Sequence, residues 1–543
     1  MTFAKKYNDF DVIIIGGGVT GAGTARDCAM RGLKALLIER SDIATGATGR
    51  NHGLLHSGAR YAVTDLESAE ECIAENMILR NIANHCVDET EGLFITLPDD
   101  DMDYQKLFIN SCRKAGIRAE AIEPKEAIRL EPSVNPSLIG AVKVPDGSVD
   151  PFRLTSSNVL DAKLYGAKVL IYSELISFIR EGDTIMGVRV FNKITKSEEE
   201  YYAQITVNAA GIWGYNIAKM AGAFVNMFPA KGSLLIFGHR VNNVVLNRCR
   251  KPANADILVP GDTICLIGTT STRVPIEDID NMYVTPSEVD ILLEEGEKLA
   301  PALASTRILR AYAGVRPLVA LDDDPSGRNI SRGIVLLDHE TRDGIKGFLT
   351  ITGGKLMTYR LMAEWTTDLI CKKLGNAQKC RTSVTPLPGS KEENVDDISK
   401  SVWSTLSQKE KITYGRHGTM ASLIGEDDYN DSLVCECEGV SVGEVEYAIE
   451  NLDVHNLVDL RRRTRVGMGT CQGELCACRA SGLLTKVHKC GDKAKEDLKK
   501  FINERWKGIS PINWGDTLRE SEYTQWIYSG VCGLMNKEEE NEI

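Results

Sequence analysis

The sequence predicts an α/β body carrying additional antiparallel sheet, followed by a small helical domain tied together by cysteines. Three observations carry this prediction. Short β-branched runs alternate with helical patterns through the first 385 residues. A turn of the form Gly16-x-Gly18-x-x-Gly21 sits between an apolar run and a helical pattern. Cys435-x-Cys437 and Cys471-x4-Cys476, 33 residues apart, place two pairs of soft ligands late in the chain.

Taken in order, the first strand is Asp11-Val12-Ile13-Ile14-Ile15, followed by a helix through Ala22 to Met30 and the strand KALLIE. KVLIY, GVRVF, ITVNAAG and SLLIF continue the pattern of short strands. Residues 386–394 mix turn residues with charge and read as the exit from a body spanning 1–385. A polar, weakly patterned linker over 386–430 leads to a cysteine domain over 431–490. A helical extension at 491–543 carries Trp506, Trp514 and Trp526. Ser441-x-x-Glu444 has the form of a capping box, and Val445, Ala448, Ile449 and Leu452 fall on one face of the helix it starts.

Composition narrows the function classes. A chain of 543 residues expects two or three domains. A net charge of -12 argues against a nucleic-acid partner, since phosphate backbones demand a dense positive footprint. No run approaches the length of a membrane span, and the first strand begins too early for an apolar signal core, so residence in the cytoplasm is expected. Fifteen cysteines in no even framework fit thiols and a metal site in a reducing compartment.

The glycine turn reads as a dinucleotide site. Its glycines allow a tight turn and close backbone approach, the helix N-terminus faces a pyrophosphate, and Glu39, 21 residues after Gly18, accepts from ribose hydroxyls. NAD and FAD share this turn. The long small-residue stretch from Arg40 to Arg50, including Thr45 and Thr48, suits a chain laid along an extended cofactor. With Asn208-Ala209-Ala210-Gly211 and Thr352-Gly353-Gly354-Lys355, it resembles the FAD-binding Rossmann-like fold of the glycine oxidase and D-amino-acid oxidase type, with an interleaved antiparallel-sheet substrate domain.

The resemblance narrows at His56-Ser57-Gly58-Ala59-Arg60-Tyr61, at Tyr312-Ala313-Gly314-Val315-Arg316-Pro317-Leu318 and at the segment from Gly353 through Leu356 and Thr358 to Arg360. These motifs resemble FAD-dependent glycerol-3-phosphate dehydrogenases. The four-cysteine segment resembles the 2Fe-2S domain of bacterioferritin-associated ferredoxin, a fusion typical of the anaerobic, quinone-linked branch of that family. The resemblance implies that sn-glycerol 3-phosphate is oxidised to dihydroxyacetone phosphate by hydride transfer to FAD. It further implies that electrons pass to menaquinone through a flavoprotein B subunit, where an FMN is compatible with the scheme, and an iron-sulfur C subunit. In that family the complex is held at the cytoplasmic face of the inner membrane by the C subunit.

Residue roles follow from the same resemblance. Gly16, Gly18, Gly21, Glu39, Arg40, Thr45, Thr48, Gly211, Gly353, Gly354, Leu356 and Thr358 are expected at FAD. Arg60, Tyr61 and Arg332 are expected to hold the phosphate, with a further substrate contact from Lys231, while Arg316 and Lys355 lie near the reacting hydroxyl. A dianion beside a flavin needs several cations, although each of these alone reads equally as a surface ion pair. A helix beginning near Leu356 is expected to aim its N-terminus at the flavin. The base that takes the hydroxyl proton is left open. Related single-subunit enzymes carry a histidine after Lys-Gly-Ser, whereas Lys231-Gly232-Ser233 here leads to Leu234. His52 and His56 are candidate substitutes, with His56 set beside Arg316 and Lys355 as catalytic, against the plainer reading of turn histidines as scaffold.

Cys435, Cys437, Cys471 and Cys476 suit a 2Fe-2S cluster better than structural zinc, whose loops show C-x2-C to C-x4-C spacing. Arg461, Arg462, Arg463 and Arg465 beside them read either as charge stabilisation of a cluster or as a docking patch. Cys478 reads as a neighbouring thiol rather than a fifth ligand. Two other functions compete: a flavin amine or amino-acid dehydrogenase fused to the same cluster domain, and a redox-sensing or iron-handling binding protein.

Overall fold

The computed structural model describes residues 9–319, 333–390, 407–425 and 427–534. At its centre the strand Phe10–Ile15 lies between Ala35–Ile38 and the second half of Ser197–Asn208, parallel to both. Lys168–Leu170 extends the parallel sheet on one side and Phe348–Gly353 on the other, where Ile334–Asp338 closes the edge antiparallel. Val12, Ile13, Ile14, Leu36 and Leu37 are wholly buried, the uninterrupted apolar reading of strands covered on both faces. The helices Val19–Met30, Pro151–Leu164 and Tyr359–Leu374 pack together as one cover. Gly23 permits this approach: a Cβ there would lie 2.8 Å from the Tyr359 ring. The first half of Ser197–Asn208 pairs antiparallel with Thr184–Asn192, which pairs in turn with Ser173–Glu181.

A second, nine-stranded sheet is built around Met227–Phe237 and Ile308–Val319, which pair antiparallel along most of their length. Its core includes Leu235, Phe237, Leu258 and Ile267. The two sheets are interleaved in sequence, and Ile15, Ile38 and Ile351 of the parallel strands line one cleft with Gly314, Val315 and Arg316 of Ile308–Val319.

The cysteine domain has its own core, with Val445, Ala448, Leu460, Ala477 and Phe501 at its centre. The helices Val442–Asn451, Leu457–Thr464, Ala477–His488 and Ala494–Ile509 surround it. Val445, Ala448 and Ile449 are buried as the helical periodicity predicts. The C-terminal extension is integral to this unit, because Leu498, Phe501 and Tyr528 belong to the same core.

Two local expectations come out differently. Only half of the capping box forms: the Ser441 hydroxyl accepts from the Glu444 N–H at 3.2 Å, but the Glu444 carboxylate turns instead to Arg416 and His417. The segment read as a polar linker contains the helix Gln408–His417. Residues 386–390 stay on the body, where the Leu387 N–H donates to the Ile82 carbonyl at 2.8 Å. Among the described residues, no helix is long and apolar enough to cross a membrane.

Candidate active site

A cleft of about 1110 Å³ opens between the two sheets. One end is built by the glycine turn. Gly16 has φ +117°, and a Cβ there would sit 2.5 Å from the Ala209 carbonyl oxygen. A Cβ on Gly21 would sit 1.9 Å from the Gly16 carbonyl oxygen, so only glycines let the strand and helix close this tightly. The Thr48 hydroxyl accepts from the Val19 N–H at 3.1 Å, which places Thr48 on the N-terminus of that helix. Glu39 ends its strand with one carboxylate oxygen accepting from Gly17 N at 2.7 Å and the other from Ser41 N at 2.9 Å. Burial pushes its carboxyl up, and these two N–H groups oppose that push.

Arg40 lies 4.6 Å over the Trp213 ring and pairs with Asp280 at 2.6 Å. The Trp213 Nε1–H donates to the same carboxylate, forming one rim of the cleft. Thr45, Gly211, Gly353, Gly354 and Leu356 also line it, and a 3-10 turn at Leu356–Thr358 opens the helix Tyr359–Leu374 with Lys355 as its cap. Gly21 and Thr358 act from behind the lining. The Thr358 hydroxyl accepts from Lys355 N at 2.9 Å and fixes that turn. A glycine cradle that no side chain can fill, an open helix N-terminus and a carboxylate at the second strand end fit the residues to an FAD.

The expected substrate residues gather toward the second sheet. Arg60 donates to Asp256 at 3.1 Å, and Arg316 donates to the Thr269 hydroxyl and, at 3.0 Å, to the Thr270 carbonyl. The Lys355 ammonium stands 4.8 Å over the Tyr61 ring. The His56 ring is 5.4 Å from Tyr61 and 5.8 Å from His52. These residues all line the one cleft. Lys231 does not. Its ammonium pairs with Glu288 at 2.8 Å. Burial pushes the Glu288 carboxyl up, but the bonds from Lys231 and Thr285 N outweigh it and hold the group below its ordinary range. Arg332 lies outside the described residues.

Arg50, Lys251, Thr269 and Ser271 also line the cleft and carried no sequence signal as site residues. Arg50 lay within the stretch read as a backbone track. The other three lie in loops that follow strands of the second sheet.

In the cysteine domain the four free thiols meet in a chain of hydrogen bonds, Cys437 with Cys471, Cys471 with Cys476, and Cys476 with Cys435. Hydrogen bonds from Cys437 and Cys476 hold the Cys471 thiol below the ordinary range, and the same contact pushes Cys437 up. Backbone N–H groups of Gly473 and Leu475 point at the Cys471 sulfur, and the Thr470 hydroxyl donates to the Cys437 sulfur at 3.6 Å. Gly469 admits the second loop, since a Cβ there would sit 2.5 Å from the Cys437 Cβ. Among the described residues no group of three or more His, Cys, Asp or Glu side chains is arranged around one metal ion, whereas a 2Fe-2S cluster asks for only two thiolates at each iron. An all-thiol donor set with N–H groups aimed at sulfur fits an iron-sulfur cluster. Cys478 instead faces Cys532, sulfur to sulfur at 2.7 Å.

The arginine run docks this domain on the body. Arg463 and Arg462 both bind Asp42, at 2.6 and 2.8 Å, and Arg465 binds Asp262 at 3.3 Å.

Residues 11–360 match the family model of FAD dependent oxidoreductases, and residues 433–486 that of BFD-like [2Fe-2S] binding domains. The chain is 63% identical over 532 residues to the A subunit of anaerobic glycerol-3-phosphate dehydrogenase of Escherichia coli K12, covering 98% of each chain. It is 39% identical to the A1 subunit of that enzyme from Haloferax volcanii, over 97% of this chain and 91% of the relative. In fold it is similar to the glycerol-3-phosphate dehydrogenase of Bacillus halodurans solved with FAD, with a TM-score of 0.70, 21% identity and 94% and 97% of the two chains covered. Glycine oxidase of Geobacillus kaustophilus shares the body alone, with a TM-score of 0.56, 19% identity and 70% and 98% covered. With an FAD oxidoreductase body joined to a 2Fe-2S domain and this identity along almost its whole length, the chain belongs to the family of anaerobic glycerol-3-phosphate dehydrogenase A subunits.

Proposed function

We propose that the chain oxidises the secondary hydroxyl of sn-glycerol 3-phosphate to the ketone of dihydroxyacetone phosphate, for delivery of the electrons through B and C subunits to menaquinone at the inner membrane. FAD supplies the hydride acceptor, and the 2Fe-2S cluster supplies a one-electron carrier. The observation that carries this reading is the gathering of Arg60, Arg316, Lys355, Tyr61 and His56 on one side of a cleft whose other side is the glycine cradle.

A phosphate dianion calls for several N–H donors that keep their charge, which guanidiniums provide at every physiological pH. Arg60 is oriented by Asp256, with Tyr61 beside it, and the two are assigned to the phosphate. Arg316 is held at the Thr269-Thr270 turn, and the Lys355 ammonium stands over the Tyr61 ring. These two are assigned to the oxygen at which the ketone forms. Loss of the C–H as hydride requires loss of the O–H proton, and His56 is assigned to take it, with the His52 and Tyr61 rings setting its orientation. Attachment through partner subunits fits the lack, among the described residues, of a membrane-length apolar helix.

An anaerobic titration of the purified chain with glycerol 3-phosphate, followed by visible absorbance and electron paramagnetic resonance, tests the proposal. Bleaching of the flavin and appearance of a reduced-cluster signal are expected. Bleaching by an amino acid instead, with none by glycerol 3-phosphate, would replace the substrate assignment.

A further inference from the structure

Behind the flavin cleft lies a second chamber of about 550 Å³. It shares Thr45, Arg50, Asn51 and His52 with the cleft, and its far wall includes Gly467, Met468 and Gln472 from the loop that carries Cys471. It therefore sits between the two cofactor sites, at the seam of the body and the cysteine domain. Its volume is that of a site for an organic molecule rather than a packing defect.

Seven Lys and Arg side chains line it; Arg153, Arg462 and Arg465 are paired with carboxylates, while among the described residues Arg50, Arg310, Arg461 and Lys507 have no carboxylate ion pair. Arg461 is only 9% exposed, and its Nε has no partner among the described residues. The Phe501 ring lies 6.0 Å from its guanidinium. Arg465 pairs through Nε with Glu438 at 2.8 Å and Asp262 at 3.3 Å, which leaves its Nη2 without a hydrogen-bond partner among the described residues. Burial pushes Arg461 well below the ordinary guanidinium range, Arg310 and Arg462 add repulsion, and Glu504 opposes them. Burial pushes Arg50 and Arg310 in the same direction. Cations desolvated without enough counter-charge destabilise a fold, so holding them together in a chamber serves the binding of an anion. The rest of the wall is apolar, with Phe152, Ile236, Leu266 and Met282 on the body side.

We propose that this chamber is a second ligand site that takes an organic phosphate monoester with an apolar body, its dianion met by Arg461 and Arg465 and its body by the apolar wall. The site is separate from the substrate position and goes beyond the reaction assigned above. A ligand there bridges the Arg50 side of the flavin cleft and the cysteine loop, and so helps to hold the two domains in register.

Phenyl phosphate is the probe, with phenol as its uncharged counterpart, in calorimetric titrations of the full chain loaded with FAD and cluster. Binding of one equivalent of phenyl phosphate is expected, with phenol weaker by on the order of 10-fold or more, the effect of losing a charge-assisted contact. Arg461→Met should weaken phenyl phosphate by on the order of 10-fold while leaving FAD content and the KM for glycerol 3-phosphate unchanged. It should not lower the thermal midpoint, because the charge it removes is buried and poorly paired. Lys507→Glu, an exposed change at the chamber wall that the fold tolerates, should weaken binding in the same direction. Equal affinity in wild type and both variants would put the probe elsewhere and overturn the proposal, as would equal affinity for phenol.

Discussion

Arg316 illustrates how a single side chain is committed to the site. It comes from the middle of the long strand Ile308–Val319, and its donors to Thr269 and Thr270 hold the guanidinium at the cleft. A Cβ on Gly232, its cross-strand neighbour but two, would lie 2.6 Å from an Arg316 nitrogen, so that glycine makes room for it. Arg316→Ala should cost about 1.5–3 kcal/mol of transition-state stabilisation, roughly 10-fold to 150-fold in kcat/KM. FAD content should not change, because the cradle at Gly16 and Gly21 is built by other strands. Steady-state kinetics with glycerol 3-phosphate and the flavin-to-protein ratio check both halves. At this scale the sequence offers both Arg316 and Lys231 by their motifs, but nothing local in it announces Glu288, which takes the Lys231 ammonium into an ion pair off the cleft lining.

At the scale of elements, the helix Val442–Asn451 is pinned by Glu444. The carboxylate is wholly buried and bound by Arg416 at 2.6 Å and His417 at 2.9 Å, both from the end of the helix Gln408–His417. Burial pushes the carboxyl up, but Arg416 and His417 outweigh this and bring it to about 2 from an ordinary 4.5. A depressed carboxylate stabilises the fold above about pH 4.5, and that contribution is lost as the pH falls from there toward 2. Thermal unfolding of the cysteine domain should therefore become acid-labile in that window. Glu444→Gln should remove this part of the pH dependence and lower stability at neutral pH by about 3–5 kcal/mol, because Arg416 is left buried without its partner. The loop element holding Cys471 makes a different prediction. Cys471→Ser should leave flavin reduction by glycerol 3-phosphate intact, since that chemistry belongs to the other domain, and should abolish electron delivery to quinone-linked acceptors. Rapid-mixing absorbance of the flavin against quinone reduction by the assembled complex separates the two.

At the scale of the whole molecule, Asp42 links the cofactor loop to the cysteine domain. It follows Glu39 by three residues, is 1% exposed, and receives both Arg462 and Arg463. Burial pushes its carboxyl up, and the two guanidiniums prevail and hold it below the ordinary range. Beside it the Tyr172 hydroxyl donates to Asp459 at 2.7 Å, a second contact between body and domain. Asp42→Asn leaves two guanidiniums short of charge at the seam and should destabilise the chain by about 3–5 kcal/mol. Electron delivery to the partners should fall while reduction of the flavin by substrate persists. Differential scanning calorimetry and the same two-part kinetic assay read the two effects.

The sequence by itself determined what is written locally. Gly16, Gly18 and Gly21 between a strand and a helix specify the dinucleotide turn, because at Gly16 and Gly21 only glycine fits where a Cβ would meet backbone oxygen. The paired cysteines specify their ligand chemistry by type and spacing, and the periodicity of Val445, Ala448 and Ile449 specifies which helical face is buried. The helix Gln408–His417 escaped that reading because it is polar and has no apolar stripe, and its place is fixed by Arg416 and His417 meeting a carboxylate 28 and 27 residues away. Only the tertiary structure decided that Arg50, Lys251 and Thr269 share a cleft with the glycine turn, that Lys231 does not, and that the arginine run docks on Asp42. The physical reason is common to all of them. A charged side chain takes its partner from whichever chain segment burial brings within about 4 Å, and at separations of tens to hundreds of residues no local pattern encodes which segment that is.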